Sequence, residues 1–163
     1  MTDSLDRYEV KRSVDITEID LNELRELYAY LSSSVLADGT LFQVGRMLRA
    51  PQNIALVARD RCTGLLAGCA LLTIVDQITK RTGLINDVVV HPRDRNQGIG
   101  GLMLDRLLRS ARDLGCRHVE LTSSNARATA NALYASRGFV RRDTNVLRLL
   151  LPHGSDPGVS TME

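Results

Sequence analysis

The chain has 163 residues, 44% hydrophobic and 25% charged, with a formal net charge of +2. That length suits one domain around a single core, and the composition is that of a soluble globular protein. The 21 basic residues are spread along the chain and the four Tyr and two Phe are not interleaved with basic clusters, so a nucleic-acid partner is not indicated.

In chain order, residues 8–14 suit a first strand. Asp15-Ile16-Thr17-Glu18-Ile19-Asp20 then offers N-cap chemistry, with Thr17 and Asp20 at capping-box spacing. Leu21, Leu24, Tyr28, Leu31 and Val35 recur at helical period, which predicts a helix to about Leu31 that breaks at Ser32-Ser33-Ser34. A second short helix fits residues 41–48 and ends at Ala50-Pro51. A hairpin follows, with strands at 54–58 and 65–75 around Asp60-Arg61-Cys62-Thr63-Gly64. After Thr82-Gly83, the β-branched run 84–90 predicts another strand.

The clearest helix comes next. Ile99, Leu102, Met103, Leu107, Ala111 and Leu114 form its apolar face, and Gly115 stands in the C′ position. Residues 118–122 read as a strand and 126–136 as a helix closed by Gly138, with last strands at 139–142 and 145–151. This order implies an α/β (α+β) domain with a mixed, mostly antiparallel sheet flanked by helices. Residues 1–151 form that domain, and 152–163 are expected to be a disordered tail.

Cys62, Cys69 and Cys116 are odd in number, lack CxxC spacing and stand among only three His, so neither a disulfide framework nor a metal site is signalled. No apolar run reaches membrane length, and Met1-Thr2-Asp3-Ser4 does not begin a signal peptide; the expected location is cytoplasmic.

The chemistry concentrates at Arg95-Asn96-Gln97-Gly98-Ile99-Gly100-Gly101, between the strand and the long helix. A strand, a Gly-rich turn and a helix place backbone N–H groups where they can bind phosphate. A P-loop needs Gly-Lys-Ser/Thr, and no Lys is present. A dinucleotide fingerprint fails because Met103 holds its third glycine position and seven residues separate the strand from Gly98.

The pattern Asp87-Val88-Val89-Val90-His91-Pro92-x-x-Arg95-x-x-Gly98-Ile99-Gly100 resembles motif A of the GNAT superfamily of acetyl-CoA-dependent N-acetyltransferases. Ala130-Asn131-Ala132-Leu133-Tyr134-x-x-x-Gly138-Phe139 resembles its motif B. Asn86-Asp87-Val88-Val89-Val90 with Arg95-Asn96-Gln97-Gly98 is most similar to the glucosamine-6-phosphate N-acetyltransferase branch, where Glu usually stands at the position of Asn86. Residues 120–127 are more similar to bacterial members.

The resemblance implies a GNAT-like fold whose strands 84–90 and 118–122 splay apart, with pantetheine in the gap against the main chain of Val88, Val89 and Val90. It further implies coenzyme A pyrophosphate on the amides from Gln97 to Gly101, with Arg95 and Asn96 beside it and Asn131 on the pantetheine. Tyr134 matches the residue that protonates the departing thiolate.

The amine acceptor needs a base, because freeing an alkylammonium at neutral pH costs about 4–5 kcal/mol. Asp87 and, after it, Glu120 are the candidates; His91 matches a turn position of the family. The resemblance thus implies acetyl transfer to a primary amine by direct attack, with acetyl-CoA as cosubstrate and no metal. The acceptor site would be lined by residues 28–38, Asp87, Glu120 and residues 142–145. The acceptor is a small molecule or a protein amine, and a homodimer stays open. The alternatives are sugar acetylation of the glucosamine-6-phosphate kind and a non-catalytic acyl-CoA-binding module.

Overall fold

The computed structural model describes residues 6–15, 18–31 and 41–149. The chain divides into two compact units, Met1–Arg127 and Ala128–Glu163.

The first unit is built on a five-stranded sheet of order β1-β2-β3-β4-β5. Its strands are β1 (Tyr8–Ser13), β2 (Asn53–Asp60), β3 (Leu66–Asp76), β4 (Arg81–Val90) and β5 (His118–Leu121). The first four form an antiparallel meander, while β5 runs parallel to β4. Antiparallel neighbours need only short turns, whereas the parallel β4–β5 pair needs a crossover. Helix α3 (Ile99–Asp113) supplies it. This is the expected mixed α+β architecture.

Alternation along the strands divides the core between two sheet faces. One carries α3, whose Ile99, Met103, Leu104, Leu107 and Ala111 are buried. Gly68 of β3 faces it, since a Cβ there would meet Met103 Cε at 3.1 Å. The other face carries α1 (Glu18–Ala29) and α2 (Leu41–Arg49). There Leu24 and Leu27 pack with Leu66, Cys69 and Val89. Leu21 packs with Val44, Leu48 and Ala55.

Helix α3 ends in a Schellman motif. The Cys116 amide donates to Ala111 O and the Gly115 amide to Arg112 O, both at 2.9 Å, which satisfies two terminal carbonyls. Gly115 therefore holds the predicted C′ position. The strand expected from residue 84 starts earlier, because Thr82 and Gly83 already pair with Val75 and Ile74 in β4.

In the second unit, α4 spans Ala128–Ser136. The two last strands expected at 139–142 and 145–151 do not form among the described residues, which run as irregular chain from Phe139 to Leu149. Strand propensity needs a ladder partner and a buried face to take effect. Here Val140, Val146, Leu147 and Leu149 are all exposed.

The Thr17 cap, the break at Ser32–34 and the 152–163 tail lie outside the described residues, as do Val35 and residues 32–38 of the expected acceptor wall. Among the described residues, no helix is long and apolar enough to cross a membrane, and no group of three or more His, Cys, Asp or Glu is placed to hold a metal ion.

Candidate active site

Strand β4 is irregular where its sequence is least strand-like. Asn86 and Asp87, residue types depleted in strands, interrupt its β-branched run. Asn86 pairs with Leu71 and Val89 with Cys69, so Asp87 and Val88 together oppose Ala70 alone. That is a β-bulge, and it shifts the alternation by one residue. Asn86 and Val89 both oppose residues of the α1 face, and Asp87 takes φ 56°, a left-handed value that Asp tolerates better than most residues. Backbone conformations of this kind cost free energy and concentrate at functional sites.

The Asp87 side chain is half-buried, and burial raises its carboxyl above the ordinary carboxylate range. The neighbouring Tyr28 side chain of α1 opposes that shift. The Cys69 thiol donates to the Asp87 carbonyl with Sγ 3.7 Å from the oxygen. Cys69 is wholly buried, consistent with the small-hydrophobe role expected of a free cysteine, and burial pushes its thiol up to about 12.

The parallel ladder between β4 and β5 runs from Thr82↔His118 to Ile85↔Leu121 and stops there. Beyond it, residues Asn86–Val90 of β4 continue without a β5 partner among the described residues. The ladder ends with the last residue of β5, Leu121. Val89 is buried in the core cluster, so a ligand along this edge meets the main chain of Val88, Val89 and Val90 rather than the Val89 side chain.

From Val90 the chain enters a braced turn. The His91 amide donates to Ala67 O at 2.8 Å, and His91 Nδ1 accepts from the Arg93 amide at 3.2 Å. His91 thus caps the short helical turn Pro92–Asp94, the turn role its sequence position suggests. Asp94 is buried and accepts from Tyr8 Oη and Arg93 Nε, each at 3.0 Å. Arg93 Nη2 also donates to Leu66 O at 2.8 Å. These bonds tie the turn to β1 and β3 and fix where the next residues start.

Residues Arg95, Asn96, Gln97 and Gly98 are exposed, and Arg95 Nε donates to Val90 O at 3.3 Å. Gly98 is the N-cap of α3 with φ 79°, a conformation costly for residues with a Cβ. The other two glycines have a different reason. Gly100 and Gly101 lie in the first turn of α3, and Gly101 is buried there. Ile99 is also buried, so only its main chain can serve a ligand. The first amides of α3 have no partner within the helix, and with its dipole they favour an anion.

Glu120 lies on β5 opposite Leu84, half-buried, with Oε1 3.4 Å from His118 Nε2. Tyr134 and Asn131 belong to the second unit, on α4. They are three residues apart, both half-buried, and share one helix face. The Tyr134 ring meets Phe139 edge to face, with centroids 5.9 Å apart.

Among the sequence candidates, the structure brings Asp87 together with Tyr28 and Cys69. Glu120 is paired with His118 instead. Tyr28 begins the 28–38 segment expected to line the acceptor site beside Asp87, while Cys69 was expected only as a buried hydrophobe. The Asn86-Asp87 interruption was the available signal for the bulge.

The model of the acetyltransferase (GNAT) family matches residues 18–139, three quarters of the chain. The chain belongs to this family. It is 31% identical over 97 residues to glucosamine 6-phosphate N-acetyltransferase 1 of Oryza sativa subsp. japonica; that match covers 58% of the chain and 57% of the relative. A crystal structure of a Trypanosoma brucei acetyltransferase is 30% identical with a TM-score of 0.73, covering 88% of this chain and 99% of that one. AAC(6')-Iy in complex with the bisubstrate analog CoA-S-monomethyl-acetylneamine shares the fold at 16% identity and TM-score 0.70, covering 89% of this chain and 99% of that one.

Proposed function

We propose that this GNAT-family chain transfers acetyl from acetyl-CoA to a primary amine by direct attack. The observation that carries the reading is the Asp87 bulge, placed where β4 loses its β5 partner and one braced turn before the amides of α3. In the family fold, that edge and those amides suit a pantetheine arm and a pyrophosphate.

The chemistry divides among named groups. The α3 amides from Gln97 to Gly101, with Arg95 and Asn96, bind the pyrophosphate, and the main chain of Val88 to Val90 pairs with pantetheine. Asp87, directly or through one water, accepts the proton of the amine. Burial makes its carboxylate more basic than an exposed one, which narrows the gap of about 4–5 kcal/mol for freeing an alkylammonium. The amine nitrogen bonds to the thioester carbon, the C–S bond breaks, and Tyr134, carried over from motif B, protonates the thiolate. Asn131, also from motif B, bonds the pantetheine. Glu120, held by His118, is the second carboxylate of the acceptor side.

The rice relative's name supports an amino-sugar acceptor such as glucosamine 6-phosphate as the second reading. Release of CoA from acetyl-CoA with glucosamine 6-phosphate, kanamycin and spermidine separates these readings. Turnover with at least one amine, reduced in Tyr134→Phe, is expected. Tight acetyl-CoA binding with no turnover of any amine would sink the enzyme reading in favour of a binding module.

A further inference from the structure

Among the described residues, Ser123 Oγ is the buried side-chain polar atom left without a hydrogen bond. Other buried polar side chains find partners. Asn53 Nδ2 donates to Met47 O and its Oδ1 accepts from Thr73 Oγ1, both at 3.0 Å. Asp94 accepts from Tyr8 and Arg93, and Asp60 from Arg7 and the Cys62 amide. An unsatisfied buried hydroxyl costs free energy, so the one at Ser123 calls for a physical reason.

The chain just after Ser123 is held in place. Ser124 Oγ accepts from the Ala126 amide at 3.3 Å, and Ser124 O accepts from the Arg127 amide at 3.1 Å. Arg127 Nη2 donates to Leu31 O, just past α1, at 2.5 Å. Leu31 in turn packs against the core cluster that contains Val89. These bonds tie the segment after β5 to the α1 face of the sheet.

The position of Ser123 along the sheet supplies the reason. The β4–β5 ladder ends at Ile85↔Leu121. Ser123 follows Leu121 by two residues, as Asp87 follows Ile85. Counted from the last pair, Ser123 is therefore level with the bulge, on the β5 side of the edge that Val88 to Val90 present.

We propose that Ser123 Oγ hydrogen-bonds the pantetheine amide nearest the thioester, from the side opposite the β4 main chain. The proposal rests on the reading of Val88 to Val90 as the pantetheine edge. An extended arm directs its amide groups to both sides, and the β4 main chain can satisfy one side only. Groups on the other side need partners once they leave water. A hydroxyl both donates and accepts, so it suits either group of an amide. The bulge marks the thioester end of the edge, because the pyrophosphate amides of α3 follow its other end.

Calorimetric titration of wild type and Ser123→Ala tests this with acetyl-CoA, CoA and adenosine 3′-phosphate 5′-diphosphate, the nucleotide without the arm. Ser123→Ala is expected to weaken acetyl-CoA and CoA alike by about fivefold, the worth of one neutral hydrogen bond. Its affinity for the nucleotide should match wild type. Without ligand, the variant should melt at or above the wild-type temperature, since alanine removes an unsatisfied hydroxyl with little change of shape. Unchanged CoA affinity overturns the proposal, and so does an equal loss for the nucleotide. A lower Tm without ligand also overturns it, because the hydroxyl would then be bonded within the protein. Failure of the wider reading looks different. A wild type that binds CoA but acetylates no amine loses the transfer step and keeps the Ser123 result, whereas one that binds no CoA loses both.

Discussion

The amide of Phe139 donates to the carbonyl of Tyr134 at 3.1 Å, and the two rings meet edge to face. Together with the Gly138 amide on Ala135 O at 3.0 Å and φ 85° at Gly138, this is a Schellman motif. The Tyr-x-x-x-Gly-Phe spacing thus has a local cause. Gly138 provides the left-handed turn, and Phe139 folds back over the last turn of α4, where it buttresses the Tyr134 ring.

That contact makes Phe139 testable. Phe139→Ala removes an edge-to-face pair worth about 0.5–1.5 kcal/mol beyond its area. Turnover is expected to fall several-fold, with Phe139→Leu intermediate and Tyr134→Phe lower than either. Steady-state kinetics on the three variants check the order. Equal kcat in Phe139→Ala and wild type would show that the ring does not support Tyr134.

Asp87→Asn should trade activity for stability. Asn tolerates φ 56° as Asp does, so the bulge survives. Turnover at neutral pH is expected to drop about 10²–10⁴-fold with loss of the base. The sign on stability follows from the raised pKa. A folded-state pKa above the unfolded one makes a contribution that is full below the unfolded value. It is lost as pH rises through the folded value. At pH 7 the variant should therefore melt at or above the wild-type temperature, and Tm against pH tests this. A variant that melts below wild type at pH 7 while matching it near pH 3 contradicts the sign.

The pair of Arg7 and Asp60 should shape the acid limb of stability in the opposite sense. Arg7 Nε and Nη2 lie 3.0 and 2.5 Å from Asp60 Oδ2, and these bonds hold the carboxyl at about 2. A depressed folded-state pKa gives stability that is present above the unfolded value and lost as pH falls through about 2. Asp60→Asn should flatten the loss of Tm between about pH 4 and 2. Parallel Tm curves for the two proteins over that range would refute the assignment.

Gly98 and Gly100 should respond differently to alanine. At φ 79° a Cβ costs about 1–2 kcal/mol, whereas Gly100 is helical and gains propensity from alanine. Gly98→Ala is expected to lower Tm and weaken acetyl-CoA binding about tenfold. Gly100→Ala should leave Tm unchanged or higher and weaken binding only through the added methyl. Calorimetric titration with acetyl-CoA, paired with thermal melts, measures both. A stable Gly98→Ala with wild-type affinity would remove the N-cap from the site.

Much of the fold was legible locally. The apolar face of α3 and the β-branched run of β4 are patterns within one element, so period and propensity disclose them. So are the glycines at the ends of α3 and α4. The missed strands at 139–142 and 145–151 mark the limit, because Val140, Val146, Leu147 and Leu149 have strand character but no ladder.

By itself the sequence determined the family, the Gly-rich turn before α3 and the candidate side chains, because each is encoded by residues close along the chain. The tertiary structure decided which of those side chains share an environment. Tyr28 and Asp87 are 59 positions apart in the numbering, yet the packing of α1 on β3 and β4 brings them into one environment. Only that packing desolvates the carboxylate. A carboxylate's basicity depends on neighbours in space rather than in sequence.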